Sequence, residues 1–308
     1  MRQSLKNRLN KYVFTALLTL QAGLIVTGGA VRLTGSGLGC PTWPTCTGSS
    51  YTPVPHQAQG TLHSWIEFGN RLLTFLLFAA ALAAIITTFT TLAGRRDIRA
   101  IRWGALGQLL GILGQGVLGG ITVLTKLNPL PVAGHFLLSI VLVTGATSLR
   151  FRVLEKTSYS AAPLTSLISR IVIALTAGVL VVGTVVTGSG PHAGDITAKR
   201  FPYDAAKVAI LHSDLVIALT CLIIVHLLVI RITESGSAQR AFYRAVGLFL
   251  FVCLAQGLIG YVQYFNGLPE LIVGAHLFGS TLVWISACKI ALIGRVYKRR
   301  ESVMTQEA

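Results

Sequence analysis

Residues 208–230 read VAILHSDLVIALTCLIIVHLLVI, an apolar run broken by one charge, Asp214, and two histidines, His212 and His226. As a helix rising about 1.5 Å per residue it reaches about 35 Å, enough to cross a hydrocarbon core of about 30 Å. No water is available there for peptide groups, so a helix, which bonds its own backbone, is the expected conformation. Residues 14–31 and 65–93 have the same character. The full set of expected spans is about 12–31, 62–93, 103–125, 131–149, 169–187, 207–230, 242–264 and 270–293. The first could pass for a signal peptide, but Arg32, Gly35 and Gly37 follow it in place of a small-residue cleavage site, so it reads as a retained helix. Apolar residues make up 53% of the 308 and charged residues 12%, far from the usage of soluble domains.

The net charge of +16 is placed in a way that argues against a nucleic-acid partner. Arg2, Lys6, Arg8 and Lys11 precede the first span, and Arg95, Arg96, Arg99 and Arg102 follow the second. Arg150, Arg152, Lys156 and Arg170 lie between the fourth and fifth, and Arg231, Arg240 and Arg244 between the sixth and seventh. Lys289, Arg295, Lys298, Arg299 and Arg300 end the chain. Arg32, Arg71, Lys126, Lys199, Arg200 and Lys207 fall on the opposite side. By the positive-inside rule this asymmetry puts both termini in the cytoplasm of a multi-pass cell-membrane protein, which requires an even number of spans. Eight satisfies it.

Two segments recur. Gln115-Gly-Val-Leu-Gly-Gly in span 3 matches Gln256-Gly-Leu-Ile-Gly-Tyr in span 7, and His135 and His276 each follow their glutamine by the same interval. Thr34-Gly35-Ser36-Gly37 after span 1 returns as Thr187-Gly188-Ser189-Gly190 after span 5. Repeats of this length call for a duplicated architecture. The expected fold is an all-α integral membrane protein of eight transmembrane helices, arranged as two parallel-repeat four-helix bundles. The halves are 1–160 and 161–308, joined by a polar linker around 155–166. Sites in such repeats lie in or between equivalent bundles.

Ionisable residues inside a membrane are costly and count as functional candidates. His135, His212 and His276 all lie a few residues inside their spans, at one depth near the external face. Counting back from the second half, the equivalent of His212 is Asn70-Arg71, so span 2 carries Asn70 where the repeat has histidine. Two imidazoles at equal depth on two helices of a bundle can bind a haem iron axially. His212 with His276 is the candidate pair; an interhelical hydrogen-bonding role is the alternative. His226, deeper in span 6, has no matching inner histidine and reads as structural. His56 and His192 fall in loops and read as solvated. In span 2, His63, Glu67 and Asn70 share one face. Glu67 reads either as a proton donor or acceptor in an apolar pocket or as the partner of Arg71 at i, i+4. Cys221, Cys253 and Cys288 read as small apolar residues within spans. Cys40 and Cys46, in the first external loop, are either a disulfide or two free thiols.

The succession Gly35-Ser36-Gly37-Leu38-Gly39-Cys40-Pro41-Thr42-Trp43-Pro44-Thr45-Cys46, then Glu67-Phe68-Gly69-Asn70-Arg71, Gly134-His135, His212 and Ala275-His276 resembles the haem A synthases along the whole chain. That resemblance implies an oxidoreductase converting the C8 methyl group of haem O to the formyl group of haem A for terminal oxidases. A hydroxylated haem would be the intermediate, water the oxygen source, and the electron acceptor is unidentified. It implies axial ligation of a haem b by His212 and His276. It also implies a substrate-haem pocket lined by His135, Asn70, His63 and Arg71, with Glu67 in the chemistry and the Cys40/Cys46 loop nearby. The implied partners are haem O, delivered by a haem O synthase, the electron acceptor and membrane lipid. Self-association stays open.

Three departures from the family pattern stand out. Asn70 replaces the common histidine of the Glu-x-x-His-Arg motif, so either His135 is the only imidazole ligand to the substrate iron or His63, two turns closer to the surface, substitutes for the missing span-2 histidine. Ser213 follows His212 where arginine is common. The second external loop carries Pro191-His192-Ala193-Gly194-Asp195 and no cysteine pair. The competing readings are a di-haem cytochrome b electron carrier, a haem transporter or chaperone, and a solute transporter. A carrier needs haems stacked across about 30 Å of membrane, whereas these histidines sit at one depth.

Overall fold

The computed structural model describes residues 2–155 and 159–295. Lys156, Lys298, Arg299 and Arg300 from the charge pattern lie outside the described residues. Among the described residues the chain forms eight α-helices: α1 (Arg2–Leu33), α2 (Thr61–Thr90), α3 (Ile98–Leu124), α4 (Pro129–Leu154), α5 (Pro163–Ser189), α6 (Ala205–Thr233), α7 (Gly236–Phe265) and α8 (Glu270–Arg295). All eight are long and apolar enough to cross a membrane, and the protein is a multi-pass membrane protein. Large apolar side chains such as Phe75, Phe251 and Leu271 are exposed on the outer surface, a pattern that a lipid surround accommodates and water would not.

The helix ends follow local chemistry. Asp204 starts α6 by accepting from the Ala206 and Lys207 amides at 2.9 and 3.3 Å, and Asn128 starts α4 by accepting from Leu130 N at 3.0 Å. These caps satisfy amides that have no intrahelical acceptor. Pro129 and Pro163 occupy the opening turns of α4 and α5, where a missing N–H is harmless. Helix α2 ends at Thr90, short of the 93 expected, because the Thr91 and Leu92 amides both turn back to the Thr87 carbonyl at 3.0 Å. Helix α1 instead runs through the polar residues ahead of its apolar stretch.

Successive helices pack as hairpins: α1 with α2, α3 with α4, α5 with α6, and α7 with α8. Helix α1 also packs on α4 and α2 on α3; α5 packs on α8 and α6 on α7. One apolar core, containing Phe14, Leu17, Ala81, Ile112 and Leu149, lies among α1–α4. A second, containing Val172, Leu219, Ile223, Phe249 and Ile290, lies mainly among α5–α8. Helices α1, α4, α5 and α8 meet in the middle through Ile25, Ile140, Val143, Leu180, Trp284 and Cys288. There the Trp284 indole donates to Thr144 Oγ1 at 2.7 Å.

Buried side-chain amides tie helices together at points where lipid offers no hydrogen-bond partner. Gln21 donates to Gln108 Oε1 at 2.9 Å and Gln108 to the Leu142 carbonyl at 3.0 Å, joining α1, α3 and α4. Glycines permit the close approach: a Cβ on Gly111 would collide with Leu142, whereas one on Gly107, a turn earlier, meets open space. Gly111→Val should therefore cost about 1–3 kcal/mol through overpacking. The matched Gly107→Val should leave stability nearly unchanged, as read by thermal or denaturant unfolding in detergent.

Candidate functional site

Three histidines occupy one kind of seat. His135 and His276 are each the seventh residue of their helix, α4 and α8, and each ring lies against a glycine of the preceding helix. A Cβ built on Gly119 of α3 would stand 3.2 Å from Cε1 of His135; the values for Gly183 with His212 and for Gly260 with His276 are also 3.2 Å. Any larger residue would push the ring out. The Gln115 side chain donates to the His135 carbonyl at 3.0 Å, and Gln256 donates to the His276 carbonyl at 2.6 Å. The repeated Gln-Gly-x-x-Gly block thus carries two functions, a clamp on the histidine backbone and a seat for its ring.

His212 and His276 face each other, with ring centroids 6.5 Å apart and planes at 68°. Two imidazoles binding one metal ion from opposite sides, with bonds of about 2 Å and about 1.1 Å from each nitrogen to its ring centre, would stand about 6.2 Å apart, centroid to centroid. The Nδ1 edges of His135, His212 and His276 are buried against the neighbouring helix without a well-formed hydrogen bond. The Val179 and Gln256 carbonyls lie within reach of His212 and His276. Their Nε2 atoms carry no hydrogen bond among the described residues. A metal-ligating histidine usually turns its other ring nitrogen to such a carbonyl and leaves the ligating nitrogen free. The geometry fits a haem held between α6 and α8. His226 differs: it is fully buried and its Nε2 meets Ser169 Oγ at 3.3 Å, a helix-to-helix contact.

The first pocket has other contents. Asn70 lies beside Gly28 of α1, with Nδ2 3.9 Å from the place of a Cβ, and its Oδ1 accepts from Thr27 Oγ1 at 2.7 Å. His63, the third residue of α2, spends Nδ1 on Ser36 Oγ at 2.9 Å, and Ser36 in turn contacts Thr34 Oγ1 at 2.8 Å. Glu67 is buried, 5% exposed. Arg71 reaches its Oε1 from Nη2 at 2.6 Å and from Nε at 3.2 Å, and the Cys40 amide reaches Oε2 at 2.6 Å. Of the two readings of Glu67, the i, i+4 pair is therefore present in the fold. A buried carboxylate needs such partners.

Cys40 and Cys46 form a disulfide. Its loop is anchored by Arg71, which donates to the carbonyls of Cys40 at 3.0 Å, Thr42 at 3.1 Å and Thr45 at 3.1 Å. Gln57 donates to the Gly39 carbonyl at 2.5 Å, and Gly39 packs so tightly on the His63 backbone that a Cβ would not fit. Trp43 lies over Gly120 of α3. The loop is thereby fixed across the ends of α2 and α3, at the level of Glu67. A second link joins the two repeated turns, with Arg32 Nη2 donating to the Thr187 carbonyl at 2.7 Å and Gly37 N to Gly194 O at 3.0 Å. His192, expected in solvent, instead contacts the Leu268 carbonyl at 2.8 Å, because the loops after α5 and α7 pack together.

Sequence reading missed Thr27, Ser36 and the seat glycines. Gly119 and Gly260 were visible inside the repeated block, but their role as ring seats depends on helix packing. Nothing in the local sequence marks Thr27 as the partner of Asn70.

The fold and these seats define a class: polytopic helical membrane proteins that present inward-facing histidines at one depth. Residues 11–208 match the family model described as cytochrome oxidase assembly protein, COX15-CtaA, and the chain belongs to that family. It is 36% identical over 107 residues to the heme A synthase of Geobacillus thermodenitrificans, a stretch covering 34% of this chain and 30% of that protein. It is 30% identical over 125 residues to the heme A synthase of Lysinibacillus sphaericus, covering 40% and 38%. The chain thus spans roughly a third of the length of these relatives. Similarity to the heme A synthase of Azorhizobium caulinodans is 27% over 326 residues, covering 90% of each.

Removing the Arg71 side chain breaks three loop contacts and unpairs Glu67. Hydrogen bonds to charged groups are worth about 1.5–3 kcal/mol each, so Arg71→Ala should speed reduction of the Cys40–Cys46 disulfide by tenfold or more. Thiol alkylation after timed exposure to reductant reads this directly.

Proposed function

We propose that the protein is a heme A synthase that converts the C8 methyl group of haem O to a formyl group. The similarity running over 90% of both this chain and the Azorhizobium caulinodans heme A synthase carries the reading, because it takes in both pockets. The reaction adds one oxygen from water and releases four electrons and four protons per methyl group, passing through a hydroxymethyl haem. The electrons leave to an acceptor outside the chain.

The two pockets divide the work. His212 and His276 hold a resident haem b, for which their spacing of 6.5 Å is suited; that group supplies one-electron transfer. His135, seated on Gly119, holds the substrate haem in the first pocket, with Asn70 and His63 on the opposite helix. Glu67 faces the chemistry and takes or gives protons, while Arg71 aims its carboxyl group and pins the Cys40–Cys46 loop across the pocket end. The chain comprises two four-helix halves, 1–160 and 161–308. The disulfide loop faces outward from the cell membrane and both termini face the cytoplasm. Haem O reaches the first pocket from the enzyme that makes it.

Expression with a haem O source, followed by extraction and chromatography of haems, tests the activity. Haem A and its hydroxylated precursor should appear; a folded, haem-loaded protein that leaves haem O unchanged points to a carrier or chaperone. His212→Ala and His276→Ala should lose the low-spin spectrum of the resident haem. His135→Ala and Glu67→Ala should keep that spectrum and lose most of the conversion. Glu67→Gln, which can still accept from the Cys40 amide, separates loop anchoring from proton transfer: retained conversion overturns the proton role.

A further inference from the structure

The first pocket carries Asn70 where the second carries His212, and its side chains indicate what would stand opposite His135. On the second-half side, His212 sits against Gly183 and faces His276. On the first-half side the comparable place on α2, beside Gly28, is held by Asn70. An amide nitrogen has no lone pair to offer a metal. The amide oxygen could bind one, but here it is occupied, accepting from Thr27 Oγ1 at 2.7 Å. This bond also fixes the amide's orientation, leaving Nδ2 as the free group, a hydrogen-bond donor.

The other polar groups of α2 are equally committed. His63 spends Nδ1 on Ser36 in the Thr34–Ser36 chain of hydroxyls, and that ties its ring to the turn after α1. Both oxygens of Glu67 are engaged, one by Arg71 and the other by the Cys40 amide. Glu67 cannot replace the missing imidazole without breaking a buried contact, and His63, whose Nε2 is free, stands seven residues, about 10 Å of helix rise, nearer the start of α2 than Asn70.

We propose that His135 is the only protein ligand to the iron of the haem bound in the first pocket. The opposite axial face is open to a small exogenous ligand, and Asn70 Nδ2, oriented by Thr27, hydrogen-bonds to that ligand. This rests on the reading of the first pocket as a haem site and specifies its coordination. It gives the two pockets distinct chemistry. Two imidazoles close the second against ligands and suit electron transfer; one imidazole leaves the first able to admit solvent and to exchange its haem.

The test uses the full-length protein in detergent, carrying its resident haem, to which one equivalent of ferric haem O is added. Electron paramagnetic resonance and optical spectra should show the resident haem low-spin and the added haem high-spin, with cyanide binding the added haem alone. Asn70→His should convert the added haem to low-spin without cyanide. Asn70→Leu should leave it high-spin while weakening cyanide about tenfold, the effect of one hydrogen bond to a charged group. Thr27→Val should weaken cyanide in the same direction by freeing the amide to turn.

An added haem that is low-spin and inert to cyanide overturns the proposal; if His63→Ala then makes it high-spin, His63 is the ligand instead. Cyanide affinity unchanged in Asn70→Leu overturns the role of the amide. If no second haem binds while the resident one is present, the reading of the first pocket itself fails, a result distinct from both. The wild-type spin state and the Asn70→Leu titration stand even if Asn70→His does not fold, and the resident low-spin spectrum reports folding in every variant.

Discussion

Inside a hydrocarbon layer every polar group must find its partner within the protein. That constraint explains why the chain is eight helices and also why its few interior polar side chains are where they are. Gln21 and Gln108 close a path across three helices, Gln115 and Gln256 bind the carbonyls of the histidines facing them, and Glu67 takes two partners. An unpartnered polar group in lipid is costly, so what stays unpartnered is informative. His212 and His276 leave Nε2 without a hydrogen bond among the described residues and face each other, where a cofactor could use them.

The glycine seat converts that constraint into geometry. Placing an imidazole against a residue without a Cβ lets two helices approach closely and fixes the ring by its Nδ1 edge. The same device occurs at Gly119, Gly183 and Gly260 with equal spacing. Because α4 and α8 lie at the centre of the molecule and α2 and α6 at its sides, each pocket is bounded by one central and one lateral helix. Asn70 on α2 is the lateral position that departs from the pattern.

Around the first pocket, charge serves position. Arg71 is a single guanidinium with five donors, and it serves Glu67 and three loop carbonyls together. A lysine could not span those acceptors. The disulfide closes a short loop, and the arginine fastens that loop to α2, so the covalent and ionic ties act on the same few residues. His226, by contrast, is enclosed by its own helix neighbours and bonds Ser169. That contact gives it a helix-to-helix partner.

Hydrophobic length alone placed all eight helices, because crossing a fixed thickness imposes a fixed number of apolar residues. The repeated Gln-Gly-x-x-Gly block and the interval to each histidine placed His135 and His276 at equivalent positions for the same reason: a helix converts sequence spacing into depth. Helix ends were less legible, as with α2, where threonines turned the chain at Thr90. Which side chains meet was beyond the sequence. The choice between a free and a paired Glu67, the fastening of the disulfide loop by Arg71, the Thr27–Asn70 bond and the contact of His192 with Leu268 all join elements distant in the chain. They depend on how helices and loops pack, and packing is set by shape complementarity over many residues at once. The composition of this protein settled its solvent and its helices; the tertiary structure alone decided which polar groups were used up and which were left to act.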